Sequence, residues 1–390
     1  MKVIPALDPS EQNDALYQQF LQNLKEQGFK GELRHDYGTR LVTSTDNSIY
    51  QVMPQAVVYP KDSEDLKLVL EISSEKRFQK ISLTPRGGGT GTNGQSLTEG
   101  MIVDCSKHMN QIMKLNLDEG WVRIQPGVVL DQLNDFLKPH GVFFAPNVSP
   151  SSRATLGGMI NTDACGKGSR IYGKTSNHIL ELNCVLSNGE NICSIPMNQN
   201  SVDEYKQMPG IQGVIFRTVD DVVRTRKKLI QDTFPKLSRF MTGYNLAGVL
   251  NEDESIFNLN AILSGSEGTL AFISEAKLKL TPIPKQKLLL VVHYESFDDA
   301  LRDASRLVES DPAAIETLDE KILTLAKKDE IYPRVQKWVE DPEGRPTRTI
   351  NLIEFSGDKI KELEKKIQPI CEEILKKRDI PGEAHGYFIT

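Results

Sequence analysis

The densest chemical signal in this 390-residue chain is a run of glycine, TPRGGGTGTNGQS, at residues 84–96. Gly87, Gly88, Gly89, Gly91 and Gly94 fall within the eleven positions from Arg86 to Ser96, against a usual glycine share of about 7%. Glycine loses more conformational freedom on folding than any other residue, so such density belongs where backbone turns tightly or meets a ligand closely. Successive inward-pointing N–H groups form a nest for an anion, most readily a phosphate. A second glycine-rich stretch covers 157–173 (GGMINTDACGKGSRIYG), and a third, shorter one is LSGSEGTL at 263–270.

Two familiar phosphate motifs occur here as bare spacing. Residues 89–94, GTGTNG, match G-x-G-x-x-G. The dinucleotide fingerprint needs a helix directly afterwards and an acidic residue about 20 positions on, whereas QSLTEGMIVDC leads into a strand. Residues 168–175, GSRIYGKT, match G-x-x-x-x-G-K-[ST]. That loop needs a strand before it and a helix after it; NTDACGK precedes it and the strand-like NHILELNCVL follows. Neither context fits. The five cysteines form no C-x-x-C pair and the six histidines no H-x-H or H-E-x-x-H, so no metal site is expected and the thiols read as free, in a reducing compartment. His293, inside an apolar run, reads as a satisfied core histidine, and Arg239 as one half of a surface ion pair.

The elements that must position these loops follow from periodicity. Residues 11–28 are helical in spacing and end at Gly28. QAVVY (55–59) is a strand, followed by a helix opening at Asp62/Ser63 and running to about Glu75. ISLTP (81–85) delivers the chain into the glycine loop. MIVDC (101–105) and WVRIQPG (121–127) are strands, and DQLNDFLKPHG (131–141) a helix with its stop signal. Strands at 179–186 and 190–195 flank Asn188-Gly189 as a hairpin turn, 214–231 is helical, and 270–280 is a strand closed by Pro282 and Pro284. Beyond it, strands at 287–295, 314–319 and 348–357 alternate with helices at 297–310 and 358–378, and HGYFIT reads as a strand beginning. This pattern predicts a small antiparallel sheet covered by helices.

Composition sets outer bounds. With 38% hydrophobic and 26% charged residues the chain can bury a core. A net charge of −6 argues against a nucleic-acid binder. No window approaches the roughly 18 apolar residues of a membrane span, and the polar, acidic N-terminus lacks a secretory signal's apolar run. A cytoplasmic setting is the simplest expectation.

Taken together and in order, TPRGGGTGTNGQS, APNVSPSSRATLGGMINTDACGKGSRIYGKT (145–175) and LSGSEGTLAFISEAKLKL (263–280) resemble the FAD-binding domain of the family named after p-cresol methylhydroxylase and vanillyl-alcohol oxidase. Within it the chain is most similar to FAD-linked D-2-hydroxy-acid dehydrogenases, the long bacterial D-2-hydroxyglutarate dehydrogenases above all, from about residue 40 to the C-terminus. The resemblance implies an α+β fold: an N-terminal helical extension (1–45), a two-subdomain FAD-binding domain (46–284) and a partial α+β cap domain (285–390). It places Arg86, Gly87, Gly88, Gly89, Thr90, Gly91, Gln95 and Ser96 around the FAD pyrophosphate. It also places Pro146, Ser149, Thr155, Gly157, Gly158, Asn161, Ala164, Gly166 and Gly173 along the other side of the cofactor, and Glu267, Gly268 and Ile273 at its adenine or ribitol region. Thr90 stands where covalently flavinylated members often carry histidine, which implies non-covalent FAD.

The implied reaction is oxidation of a D-2-hydroxy acid such as D-2-hydroxyglutarate or D-lactate, with hydride passing to the flavin. In the family, the arginine, lysine and metal-binding histidines of the substrate site lie after the cap. The chain is expected to end inside the cap, so no catalytic residue is assigned and the electron acceptor stays open. The alternative is a stand-alone flavin-binding module without turnover.

Overall fold

The computed structural model describes residues 14–390 apart from 238, 240–242 and 342. The chain divides into two compact units, one comprising the chain up to Gly166 with Lys174–Thr281, the other Lys167–Gly173 with Pro282–Thr390. The fold is α+β.

The first unit holds two main sheets. In one, strand Ala56–Tyr59 pairs in parallel with Met101–Asp104, which pairs in parallel with Leu83–Arg86; Glu32–Arg34 adds an antiparallel edge. Helix Ser63–Ser74 starts where Asp62 caps the Asp65 N–H at 3.0 Å. Glu64 and Asp65 in its first turn complement the helix dipole, and Leu66, Val69, Leu70 and Ile72 turn inward at helical spacing. Helix Ala15–Glu26 buries Tyr17, Phe20, Leu21 and Leu24 against the same core, with Phe20 edge-on to Phe78 at 5.2 Å. Gly28 follows with φ +86°, the left-handed stop that glycine supplies.

The second sheet is antiparallel, in the order Ile112–Asn116, Trp121–Ile124, Phe272–Lys279, Ile179–Val185, Asn191–Ser194. Its strands alternate. Val122, Ile124, Leu182, Cys184, Ala276 and Leu278 enter the core, while Arg123 on the opposite face reaches Glu181 at 2.8 Å and Glu275 at 3.3 Å. Gly189 turns the Asn188–Gly189 hairpin at φ +84°.

The second unit is a four-stranded antiparallel sheet in the order Ala314–Leu318, Thr349–Gly357, Gln286–Tyr294, Gly386–Ile389. Leu290, Val292 and Tyr294 face helices Phe297–Val308 and Ile360–Lys377. Val291 faces the other way, onto Leu323 and Val339. Period-two alternation along one strand thus seeds a core on each face.

Four expectations changed. The single helix at 214–231 is two, Gly210–Thr225 and Lys227–Thr233, broken at Arg226. Strand Ile112–Asn116, whose residues are half-exposed at a sheet edge, went unread. So did the short polar helices Gln199–Lys206, Glu320–Ala326 and Tyr332–Val339. Arg239 is exposed and makes no ion pair among the described residues; its carbonyl accepts from Cys165 Sγ at 3.2 Å. His293 is fully buried, with Nε2 2.9 Å from the Trp338 carbonyl.

Candidate cofactor site

The parallel strands Leu83–Arg86 and Met101–Asp104 end side by side, Arg86 opposite Asp104. The first glycine loop leaves from that carboxyl end, the edge at which open α/β sheets bind ligands. No helix follows it before Met101, which removes the dinucleotide-fingerprint reading. GSRIYGKT is likewise followed by the 3-10 turn Thr175–His178 and strand Ile179–Val185, not by the helix of a triphosphate loop.

The loop meets the second glycine stretch without room for side chains. A Cβ on Gly87 would lie 2.1 Å from Thr155 Oγ1, and one on Gly88 2.1 Å from the Arg153 carbonyl oxygen. Thr155 caps the short helix Leu156–Asn161. Gly157 donates to the Pro126 carbonyl at 2.8 Å, so close that a Cβ there would meet Pro126 Cβ at 2.6 Å.

The second stretch holds the third. Gly265 N–H donates to the Ile160 carbonyl and Glu267 N–H to the Asn161 carbonyl, both at 2.9 Å, and Ser264 Oγ donates to the Ile160 carbonyl at 3.1 Å. The third stretch then returns to the first: a Cβ on Gly268 would sit 2.2 Å from Pro85 Cγ. Three stretches distant in sequence therefore touch pairwise, each contact made through glycine or main chain.

The other residues named from sequence fall as follows. Gln95 folds back over Gly91, its Nε2 2.4 Å from where a Cβ would be, and its Oε1 accepts from Asn93 N–H at 3.2 Å. Ser96 Oγ donates to Asp46 Oδ2 at 3.1 Å. Thr90 lies half-exposed beside Gly88. The segment carrying Pro146 and Ser149 meets Gly166, whose Cβ would be 2.4 Å from the Asn147 carbonyl. The Ala164 carbonyl accepts from Thr175 N–H and Oγ1. Ile273 is buried among the core residues of the antiparallel sheet, and Gly173 belongs to the second unit.

Sequence reasoning passed over Arg153, Pro126 and Pro85, which contribute main chain or ring atoms and have no motif of their own. It also passed over Asp163, which holds φ +45° without being glycine and pairs with Lys174 at 2.5 Å.

Burial governs the electrostatics. It pulls the Arg86 guanidinium below its usual range, with Asp104 and Asp46 opposing. It pushes Asp104 up against the hydrogen bonds from Ser106, and it alone raises Glu267. Asn161 Nδ2 donates to the Gly157 carbonyl, but its buried Oδ1 has no partner among the described residues. Such an orphan acceptor needs a donor from a ligand or water. A buried acceptor left open where the glycine-rich stretches converge fits a group that brings its own donor, such as a hydroxyl of a flavin dinucleotide.

Residues 54–193 match the family model of the FAD binding domain, and 283–382 that of the C-terminal domain of FAD linked oxidases. The chain thus matches both domain models in order, the FAD binding domain first and the FAD linked oxidases' C-terminal domain after it.

It is 50% identical over 372 residues to D-2-hydroxyglutarate dehydrogenase of Pseudomonas putida, covering 95% of this chain and 37% of that protein. To the Escherichia coli enzyme of the same name it is 45% identical over 369 residues, 95% of this chain and 36% of the relative. The chain thus spans little more than a third of the length of these relatives. To the glycolate oxidase subunit GlcD of Bacillus subtilis it is 30% identical, covering 85% of this chain and 58% of that one.

Among solved structures, alkyldihydroxyacetonephosphate synthase superposes with a TM-score of 0.66 at 18% identity, covering 98% of this chain and 61% of that one. The 4-ethylphenol oxidase of Gulosibacter chungangensis does so at 0.63 and 15%, covering 98% and 66%. These likenesses show that the chain shares the fold of those two structures.

Gly268 offers a direct check on the packing. It sits at φ +75° with Pro85 against it, so Gly268→Ala combines a left-handed alanine with overpacking. The expected cost is about 2–4 kcal/mol, measured as a lowered urea midpoint of the flavin-free chain.

Proposed function

We propose that this chain is the FAD-binding and C-terminal-domain portion of a dehydrogenase that oxidises D-2-hydroxy acids, D-2-hydroxyglutarate first among them and D-lactate next. One observation carries the flavin part: three glycine-rich stretches distant in sequence converge, through main-chain hydrogen bonds and through glycines at which a Cβ would collide with Thr155, Arg153 or Pro85. The substrate class rests on the names of the relatives. When bound, FAD supplies a two-electron acceptor for hydride from the substrate's α-carbon. The chain's own residues bind and orient it. Gly87–Gly91 would present N–H groups to the pyrophosphate and Asn161 Oδ1 would accept a hydrogen bond from the cofactor, while Thr155 and Pro85 wall the loop. Thr90 offers no ring nitrogen for a flavin bond at this position, which favours non-covalent FAD.

The setting we propose is cytoplasmic. Cys105, Cys184 and Cys371 are buried free thiols, and among the described residues no helix is long and apolar enough to cross a membrane. Nor do any three His, Cys, Asp or Glu among the described residues gather to hold a metal ion.

The test is anaerobic mixing of the FAD-reconstituted chain with the D- and L-enantiomers of 2-hydroxyglutarate and lactate, following the visible flavin band. Bleaching by the D-acids supports the dehydrogenase. Bound flavin that no acid bleaches turns the reading into a flavin-binding module without turnover. A chain that retains no FAD ends both.

A further inference from the structure

The glycine loop has a second neighbour, the segment Thr43–Asn47, which lies before the region matched by the FAD-binding family model. Arg86 joins the two. Its main chain is rooted in the parallel sheet, where its carbonyl accepts from Cys105 N–H at 3.0 Å. Its guanidinium turns back under the loop. Nη2 donates to the Thr45 carbonyl at 2.7 Å, and Nη1 to the Thr43 carbonyl at 3.2 Å and to Ser96 Oγ at 3.4 Å. Ser96 in turn donates to Asp46, and Asn47 N–H donates to the Gly89 carbonyl at 3.1 Å. Gly89 rests directly on the fork: a Cβ there would lie 2.7 Å from Nη2.

A planar guanidinium can bridge two carbonyls and a hydroxyl at once, and a lysine ammonium cannot reproduce that fork. We infer that Arg86 is a positioning residue rather than a phosphate ligand: it clamps Thr43–Asn47 beneath the glycine loop and thereby presets the loop's N–H groups for the cofactor. This deepens the flavin reading proposed above and rests on it for the ligand, but not for the clamp itself. Preorganisation works by removing an ordering cost that binding otherwise bears, so its loss shows in affinity and also in loop exchange before any ligand is added.

Two readouts on the full chain separate these claims. Amide hydrogen exchange of the flavin-free protein reports the clamp, through Asn47 N–H, with helix Ser63–Ser74 as the internal reference. Flavin fluorescence titration reports the FAD Kd. In Arg86→Met, Asn47 exchange is expected to rise by at least about tenfold with the reference helix unchanged, and Kd to rise by about 30-fold. Arg86→Lys, which keeps the charge and loses the fork, is expected to recover no more than about threefold of that affinity.

Should Arg86→Met fail to fold, Ser96→Ala removes the hydroxyl that links Arg86 to Asp46, leaves both carbonyl contacts of the guanidinium in place, and is expected to raise Asn47 exchange and to weaken FAD by about threefold to fivefold. Wild-type affinity in Arg86→Lys overturns the inference, because charge at a distance then suffices. Unchanged Asn47 exchange in both Arg86→Met and Ser96→Ala overturns it too. If the wild-type chain binds no FAD, the flavin reading falls and the exchange arm alone decides the clamp.

Discussion

Gly88→Ala is expected to yield a folded chain that purifies without flavin and binds added FAD at least about 100-fold more weakly than wild type. The reason is contact, since Gly88 does not hold a left-handed φ and alanine can adopt its backbone. The new Cβ meets the Arg153 carbonyl oxygen at 2.1 Å and its carbon at 3.0 Å. That carbonyl sits in a tight turn where Arg153 and Ala154 both donate to the Pro150 carbonyl, so it yields only if the turn opens. The loop must move instead, carrying its N–H groups away from the pyrophosphate position proposed for them.

Gly91→Ala supplies the control. Its Cβ meets the end of the Gln95 side chain, Nε2 at 2.4 Å, which can rotate aside. A loss of about fivefold or less is expected there. Flavin content after purification and fluorescence titration read both. Equal losses in the two variants would show that packing against the second stretch does not control binding.

The contrast shows what a sequence can and cannot carry. Glycine density announced that backbone approaches something at 86–96, and Asp62, Gly28 and Asn188-Gly189 announced their cap, stop and turn, because each acts on neighbours a few positions away. What the glycines approach was silent. Arg153 and Pro126 take part through carbonyl oxygens, which every residue type possesses, and Pro85 through a ring edge. Ile112–Asn116 was missed because an edge strand half-exposed on both faces keeps no strict alternation. The resemblance placed Gly173 in one list with Gly157, yet its segment, Lys167–Gly173, groups with the second unit, tied there by Arg170 to Asp311 at 2.6 Å and Lys167 to Glu354 at 2.6 Å. Long-range ion pairs of that kind leave no local pattern.

The second unit is expected to lose stability on mild acidification, through two histidines remote from the glycine loops in sequence. His293 of the central strand and His385, just before the last strand, are joined by the His385 N–H to His293 carbonyl bond at 3.0 Å, with ring centroids 6.2 Å apart. Both are buried. Among the described residues His293 Nδ1 has no hydrogen-bond partner, and His385 Nδ1 lies 3.8 Å from Asp341 Oδ2. Burial pushes both imidazoles below their ordinary range. At His293 the bond to the Trp338 carbonyl and the Asp341 charge oppose it, while the neighbouring ring adds to it. At His385 the Asp341 and Glu295 carboxylates and a hydrogen bond with the Pro346 main chain oppose it, and Arg345 adds to it.

The sign follows from which state takes the proton first. Above the unfolded value of about 6.5 both states are neutral and the rings cost nothing. As pH falls below it the unfolded chain binds protons that the folded unit refuses, so stability drops until the depressed folded values are reached. Each unit of depression is worth about 1.4 kcal/mol per ring. The two tryptophans, Trp121 and Trp338, allow a local readout. In a Trp121→Phe background Trp338 reports the second unit alone, from beside His293. Its urea midpoint is expected to fall between about pH 7 and pH 5, and to fall by roughly half as much in His385→Gln. In His293→Gln/His385→Gln the decline should largely vanish. A decline of undiminished slope in the double variant would assign acid sensitivity to other groups and leave the buried pair electrostatically inert.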